Sequence, residues 1–170
     1  MLIDFRKYKP CPRPLEIKGG EVERVDNYKY LGMTLTNTVT WAEHISMLIR
    51  KCQQRMYFLR KLYRFGVSNK ILHMFYRSTV ESIIGYCISC WGGSITKSNH
   101  NQLNRVIKVA RKIIGRALPG VHDLYMKSVS NKVTTILSDN SHPLRSNFTL
   151  MRSGTRYHSI RCRTNRFRNT

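Results

Sequence analysis

Between Trp41 and Leu62 the apolar residues Trp41, Ile45, Leu48, Cys52, Met56, Leu59 and Leu62 recur every three or four positions. That period lays them along one stripe of an α-helix, and a stripe so wide has to be buried against a partner. Arg50, Lys51, Arg60, Lys61 and Arg64 fall outside it. Two more helical segments follow. Ser68 can cap a helix from about Asn69 to Cys90 that is apolar over much of its circumference (Ile71, Leu72, Phe75, Tyr76, Val80, Ile83, Ile84), so it should be the most buried element. Ser98 can cap a third, with Leu103, Val106, Ile107, Ala110, Ile113 and Ile114 inward and Arg105, Lys108, Arg111 and Lys112 outward. Gly66, Gly92 and Gly115 stand where these segments should end, glycine being the usual residue at a helix C-terminus. Short connections predict one basic three-helix bundle over residues 40–118.

Ahead of the bundle, residues 1–38 read as a strand and hairpin segment. Leu2–Phe5 fits a short strand, and Pro10, Pro12 and Pro14 enforce an extended linker. "PLEIKGGEVERV" predicts a hairpin turning at Gly19-Gly20. "YKYLGMTL" predicts a third strand, with a bulge or close backbone approach at Gly32. Thr40 and Glu43 have the spacing of a capping box at the start of the first helix. Beyond the bundle, residues 119–137 hold a further helical segment, Val121 to Leu137. Residues 138–170 form an arginine-rich tail expected to be disordered or to order on binding. The fold class is α+β: a small N-terminal β-hairpin or meander, then a mainly α bundle and a basic tail.

Charge narrows the function. Thirty Lys and Arg against nine Asp and Glu leave a formal +21. Residues 1–40 are nearly balanced, with seven bases and five acids, whereas residues 41–118 carry fourteen bases and two acids. Residues 141–170 carry seven arginines and no acid. Such an excess favours polyanions, because each neutralised phosphate releases condensed counterions. Nucleic acid is the leading partner and an anionic membrane surface the competitor. Aromatic side chains at Tyr57, Phe58, Tyr63 and Phe65 interleave with the bases, as base stacking beside phosphate contacts requires. The most apolar region, Ile71 to Trp91, is interrupted by His73, Arg77 and Glu81, so no membrane span is expected. Asp4 precedes any hydrophobic run, so no signal peptide is expected. Five irregularly spaced cysteines suit free thiols in a reducing, intracellular compartment.

Catalytic constellations are missing. Nucleotidyl transfer needs clustered carboxylates to hold two metal ions, and here no two acids stand adjacent and no two aspartates stand at Asp-x-Asp spacing. His122-Asp123 is adjacent rather than spaced for a facial triad, and no glycine-rich loop opens a helix after a strand. Cys87 and Cys90 form a lone CxxC, and zinc would need Cys52 and His100 brought alongside, so the two thiols read as small residues packed on a buried helix. No catalytic residue, metal ligand or cofactor is expected.

The run "VDNYKYLGMTL…W…HI…L…RKCQQRMYFLRKLYRFGV" resembles the segment just after the palm motifs in reverse transcriptases of non-LTR (LINE-type) retrotransposons. The resemblance continues through "ILHMFYRSTVESIIGYCISCWGG", "NQLNRVIKVARKIIG" and "LPGVHDLY" into "HPLRSNFTLMRSGTRYHSIRCRTNRFRNT", and even "MLIDFRK" matches, so it covers essentially the whole chain. It implies that residues 1–38 are a remnant of the palm and that residues 40–118 form a thumb. Tyr28, Lys29, Tyr30, Leu31 and Gly32 would then lie against a primer terminus. The bundle's Arg50, Lys51, Arg60, Lys61, Arg64, Arg105, Lys108, Arg111 and Lys112, with Arg161 and Arg163 of the tail, would hold the template–primer backbone. The family's aromatic-Ala-Asp-Asp element belongs upstream of residue 1. The resemblance therefore implies a C-terminal piece that binds RNA or DNA without polymerising it, its missing partner being a palm. Residues 1–38 are also similar to the N-terminal family named after the AlkB-type alkylation-repair dioxygenase and tRNA methyltransferase homologues. Two alternatives stay open: an oxygenase or methyltransferase accessory, and a truncated gene product that does not fold stably.

Overall fold

The computed structural model describes residues 1–3 and 14–159. Two small antiparallel hairpins lead into a helical body. In the first, β1 (Glu16–Ile17) pairs with β2 (Gly20–Glu21), and in the second, β3 (Asn27–Tyr30) pairs with β4 (Met33–Thr36). The helices are α1 (Ala42–Arg64), α2 (Asn69–Tyr76), α3 (Ser82–Gly85), α4 (Ile88–Trp91), α5 (Lys97–Ile114) and α6 (Val121–Ser138). The fold is α+β.

The stripe on α1 is buried as its spacing predicts: Ile45, Leu48, Cys52, Met56 and Leu59 all lie in the core. They meet Leu72, Tyr76, Val80, Ile84, Ile88 and Trp91 from the central segment and Leu103, Val106, Ile107, Ala110 and Ile114 from α5. The central segment sends six side chains into the core but leaves Ile71 and Met74 exposed, and it is not one helix. A π-helical turn at Arg77–Glu81 separates α2 from α3, and the chain breaks again at Tyr86 and Cys87 before α4. Back-bonding hydroxyls mark the first irregularity, since Thr79 Oγ1 donates to the Phe75 carbonyl (2.6 Å) and Ser82 Oγ to that of Ser78 (2.6 Å). Such bonds compete with the helical ladder and bend it. At the second, Cys87 takes the left-handed conformation, and Trp91 Nε1 donates to the released Tyr86 carbonyl at 3.0 Å. The cysteines consequently do not share a buried helix face: Cys87 is half-buried and Cys90 exposed.

Five local expectations are corrected. "YKYLGMTL" is a hairpin rather than one bulged strand, because Leu31 and Gly32 both take positive φ and form the two-residue connection that antiparallel strands favour. The first hairpin turns at Lys18-Gly19, one residue earlier than expected, and Gly20 pairs with Ile17. No capping box forms at α1. Glu43 instead accepts from Asn27 Nδ2 (3.2 Å), and the Thr40 amide donates to Thr36 Oγ1 (2.9 Å). At α5 the capping hydroxyl is Thr96, which accepts from the Asn99 amide, rather than Ser98. Leu2 and Ile3 form no strand, and the remainder of the expected first strand lies outside the described residues.

Helix α6 adds a fourth layer against α3, α4 and α5. Its start is held by Asn104 Oδ1, which accepts from the Val121 amide at 3.1 Å. Gly92 permits the approach, since a Cβ there would stand 2.7 Å from Tyr125 Cδ2. After α6 the chain makes a 3-10 turn at Arg145–Asn147 and a bridge between Leu150 and Tyr157. Residues 160–170 lie outside the described residues.

Candidate nucleic-acid interface

Helices α1 and α5 pack side by side, and their shoulders enclose a groove of about 440 Å³. Arg60 and Gln53 line one wall, Arg105 and Gln102 the other, and Ile49, Met56, Val106 and Val109 contribute the apolar surface. Residues 53 and 60 are two helical turns apart, which is why both face the same groove. No carboxylate lines it, so two guanidinium groups converge without an acidic partner there.

Arg50, Tyr57, Phe58, Lys61 and Arg64 form the exposed ridge of α1. Lys61 Nζ sits 5.1 Å from the centroid of the Tyr57 ring, and Tyr57 meets Phe58 edge to face. Exposed cation–π contacts contribute about 0.5–1 kcal/mol, enough to bias a long side chain without fixing it. Lys108 and Lys112 are exposed on α5. Arg111 is placed differently: its Nη2 donates to the Leu118 carbonyl at 2.6 Å, so this guanidinium ties down the loop after α5. Arg161 and Arg163 lie outside the described residues. Among the described residues Arg77 pairs with Glu81 at 3.7 Å, an i,i+4 contact within the π-helical turn.

The β3–β4 corner stands beside the helical body. Tyr28 and Tyr30 are about half exposed on one face of β3, and Lys29 is exposed on the other. Gly32 and Lys51 are brought together in a second cleft, between the corner, α1 and α3. Tyr86 anchors the corner there, its hydroxyl donating to the Leu31 carbonyl at 2.7 Å. His44 is buried between the rings of Trp41 and Trp91, and its Nδ1 accepts from the Thr34 amide at 3.3 Å. Burial, and then the Lys51 charge, hold its pKa below the usual histidine value. Burial likewise pushes the Cys52 thiol up to about 11. Gln53, Gln102, His44 and Tyr86 are additions to the residues expected from sequence. The heptad spacing of Gln53 and Arg60 could have indicated the first, but nothing local pointed to Tyr86.

A family model described as the N-terminal region of alkylated DNA repair protein alkB homolog 8 matches residues 41–82. The matched residues cover all of α1 through the start of α3 and not residues 1–38, where that likeness was expected. Among the described residues no three His, Cys, Asp or Glu side chains group as metal ligands. A probable RNA-directed DNA polymerase from transposon BS of Drosophila melanogaster is 28% identical over 167 residues. The alignment covers 94% of this chain, and the chain spans 17% of that protein's length. No solved structure matches. The chain is thus similar along nearly its whole length to a part of a transposon-encoded polymerase.

Proposed function

We propose that the chain is a thumb-like, non-catalytic nucleic-acid-binding module of non-LTR reverse-transcriptase descent, gripping template–primer by its sugar–phosphate backbone. The observation that carries this reading is the α1–α5 groove, where Arg60 and Arg105 converge with no acid among the lining residues. Two like charges so placed repel in the unbound protein, and a phosphate between them relieves the repulsion while accepting hydrogen bonds from both. Gln53 and Gln102 add uncharged donors for sugar or phosphate oxygens, and the Lys61–Tyr57–Phe58 ridge offers ring faces beside a cation. Tyr28, Lys29, Tyr30 and Gly32 form the corner that meets the primer end, and the carboxylates for polymerisation belong to an upstream palm. The 28% identity to the transposon polymerase supports the same descent.

The test is fluorescence anisotropy with labelled RNA–DNA and DNA–DNA primer–templates between 50 and 200 mM salt. Contacts to about six phosphates would lower affinity by roughly 10³-fold across that range. An affinity indifferent to salt sinks the reading.

The family match over residues 41–82 favours a second reading, an accessory segment of an alkylation-repair dioxygenase or methyltransferase. Saturable binding of S-adenosylmethionine, or of ferrous iron with 2-oxoglutarate, would establish it.

A further inference from the structure

The cleft between the β3–β4 turn, α1 and α3 has a volume of about 390 Å³, within the size range of small-ligand sites, about 300–1,000 Å³. Met47, Leu48 and Ile83 make an apolar floor, Tyr86 supplies an aromatic wall, and Lys51 supplies a cation, with no carboxylate in the lining. His44 closes the inner side. Its Nδ1 accepts from the Thr34 amide, so the ring proton resides on Nε2, which is buried out of reach of the cleft, and His44 serves as inner wall only. A ring wall, an apolar floor and one cation with no carboxylate in the lining together describe a ligand that is flat and anionic.

We propose that this cleft takes one unpaired nucleotide of the bound strand, its base against Tyr86 and the Met47–Ile83 floor and its phosphate on Lys51. The inference rests on the nucleic-acid reading above and adds a site to it. A paired base has both faces stacked, so it cannot enter; only an unstacked one exposes the face that this lining addresses. The same cleft lies directly behind the Leu31-Gly32 turn, so a strand running over that corner passes its mouth.

The experiment uses the full chain and primer–templates carrying 5-iodouridine at successive single-stranded positions. Irradiation should cross-link Tyr86 from one strand position and from none in a fully paired blunt duplex. Ser82, exposed at the rim, allows the cleft to be filled without touching the core. Ser82→Trp should abolish the Tyr86 cross-link and weaken binding of the overhang substrate by about tenfold, the worth of one base stacked on an aromatic ring. It should leave the blunt duplex unaffected. If every substrate binds with the expected salt dependence while wild-type Tyr86 never cross-links, the cleft proposal fails and the groove reading survives. If no oligonucleotide binds in a salt-dependent way, the groove reading fails first. The wild-type cross-link decides the matter even if the tryptophan variant unfolds.

Discussion

Arg105 and Arg111 sit six positions apart on one helix in different surroundings: Arg105 lines the α1–α5 groove and Arg111 meets the loop after α5. Arg111 Nη2 donates to the carbonyl of Leu118, a residue 3% exposed at the edge of the core. A hydrogen bond from a charged donor contributes about 1.5–3 kcal/mol, and because the Arg111 side chain is itself largely solvated the lower end applies. In a chain of this size each kcal/mol moves Tm by about 2–4 °C, so Arg111→Gln should melt roughly 3–6 °C below the parent. Its salt slope for duplex binding should be unchanged. Arg105→Gln should behave in reverse, with Tm within about 1 °C of the parent and the slope of log K against log salt reduced by about 0.9, one phosphate's share. Thermal melts followed by circular dichroism and anisotropy titrations at four salt concentrations measure both quantities on the same preparations. An Arg111→Gln protein that melts with the parent and loses as much slope as Arg105→Gln would refute the division of roles drawn from the Leu118 contact.

Three further outcomes are expected. Leu31 holds φ +46° in the β3–β4 turn with an exposed side chain, so Leu31→Asn, which suits that conformation, should raise stability by about 0.5–1 kcal/mol in a urea titration with unchanged m-value. The folded pKa of His44 lies below the unfolded value near 6.5, so the unfolded chain binds the extra proton; stability should fall as pH drops from about 6.5, and His44→Gln should flatten that dependence. Cys52 is fully buried with its thiol pushed up to about 11, whereas Cys90 is exposed. Maleimide at pH 8 should label Cys90 in the native protein and Cys52 only after denaturant is added, as read by peptide mass mapping.

Helices were legible wherever one stripe alone decided burial. Ile45, Leu48, Cys52, Met56 and Leu59 on α1, and Leu103, Val106, Ile107, Ala110 and Ile114 on α5, are core residues for the reason their spacing gave. What stayed hidden depended on partners distant in sequence. Gly85 alone hints at the break at Tyr86 and Cys87; the interruption is stabilised by Trp91 from beyond it and by the Leu31 carbonyl from a hairpin fifty-five positions away. Leu31 is a poor turn residue by itself, so a strand seemed natural until the Tyr86 hydroxyl claimed its carbonyl. Thr40 and Glu43 have capping-box spacing, but Thr36 and Asn27 claim them first. Of the candidate site, the bases on α1 and α5 could be listed from sequence, whereas the pairing of Arg60 with Arg105 across one groove needed the crossing of two helices.

The π-helical turn at Arg77–Glu81 has a geometric consequence for how such chains can diverge. A π turn accommodates one residue more than an α turn, so everything after Glu81 is rotated by roughly 100° from where an unbroken helix would aim it. That rotation is what brings Tyr86 round to the hairpin. Deleting any single residue from Arg77 to Glu81 would let the ladder run regular, keep Leu72 and Tyr76 in the core, and swing Tyr86 off the corner. The hairpin's attachment therefore depends on the residue count of this stretch as well as on the residues it holds.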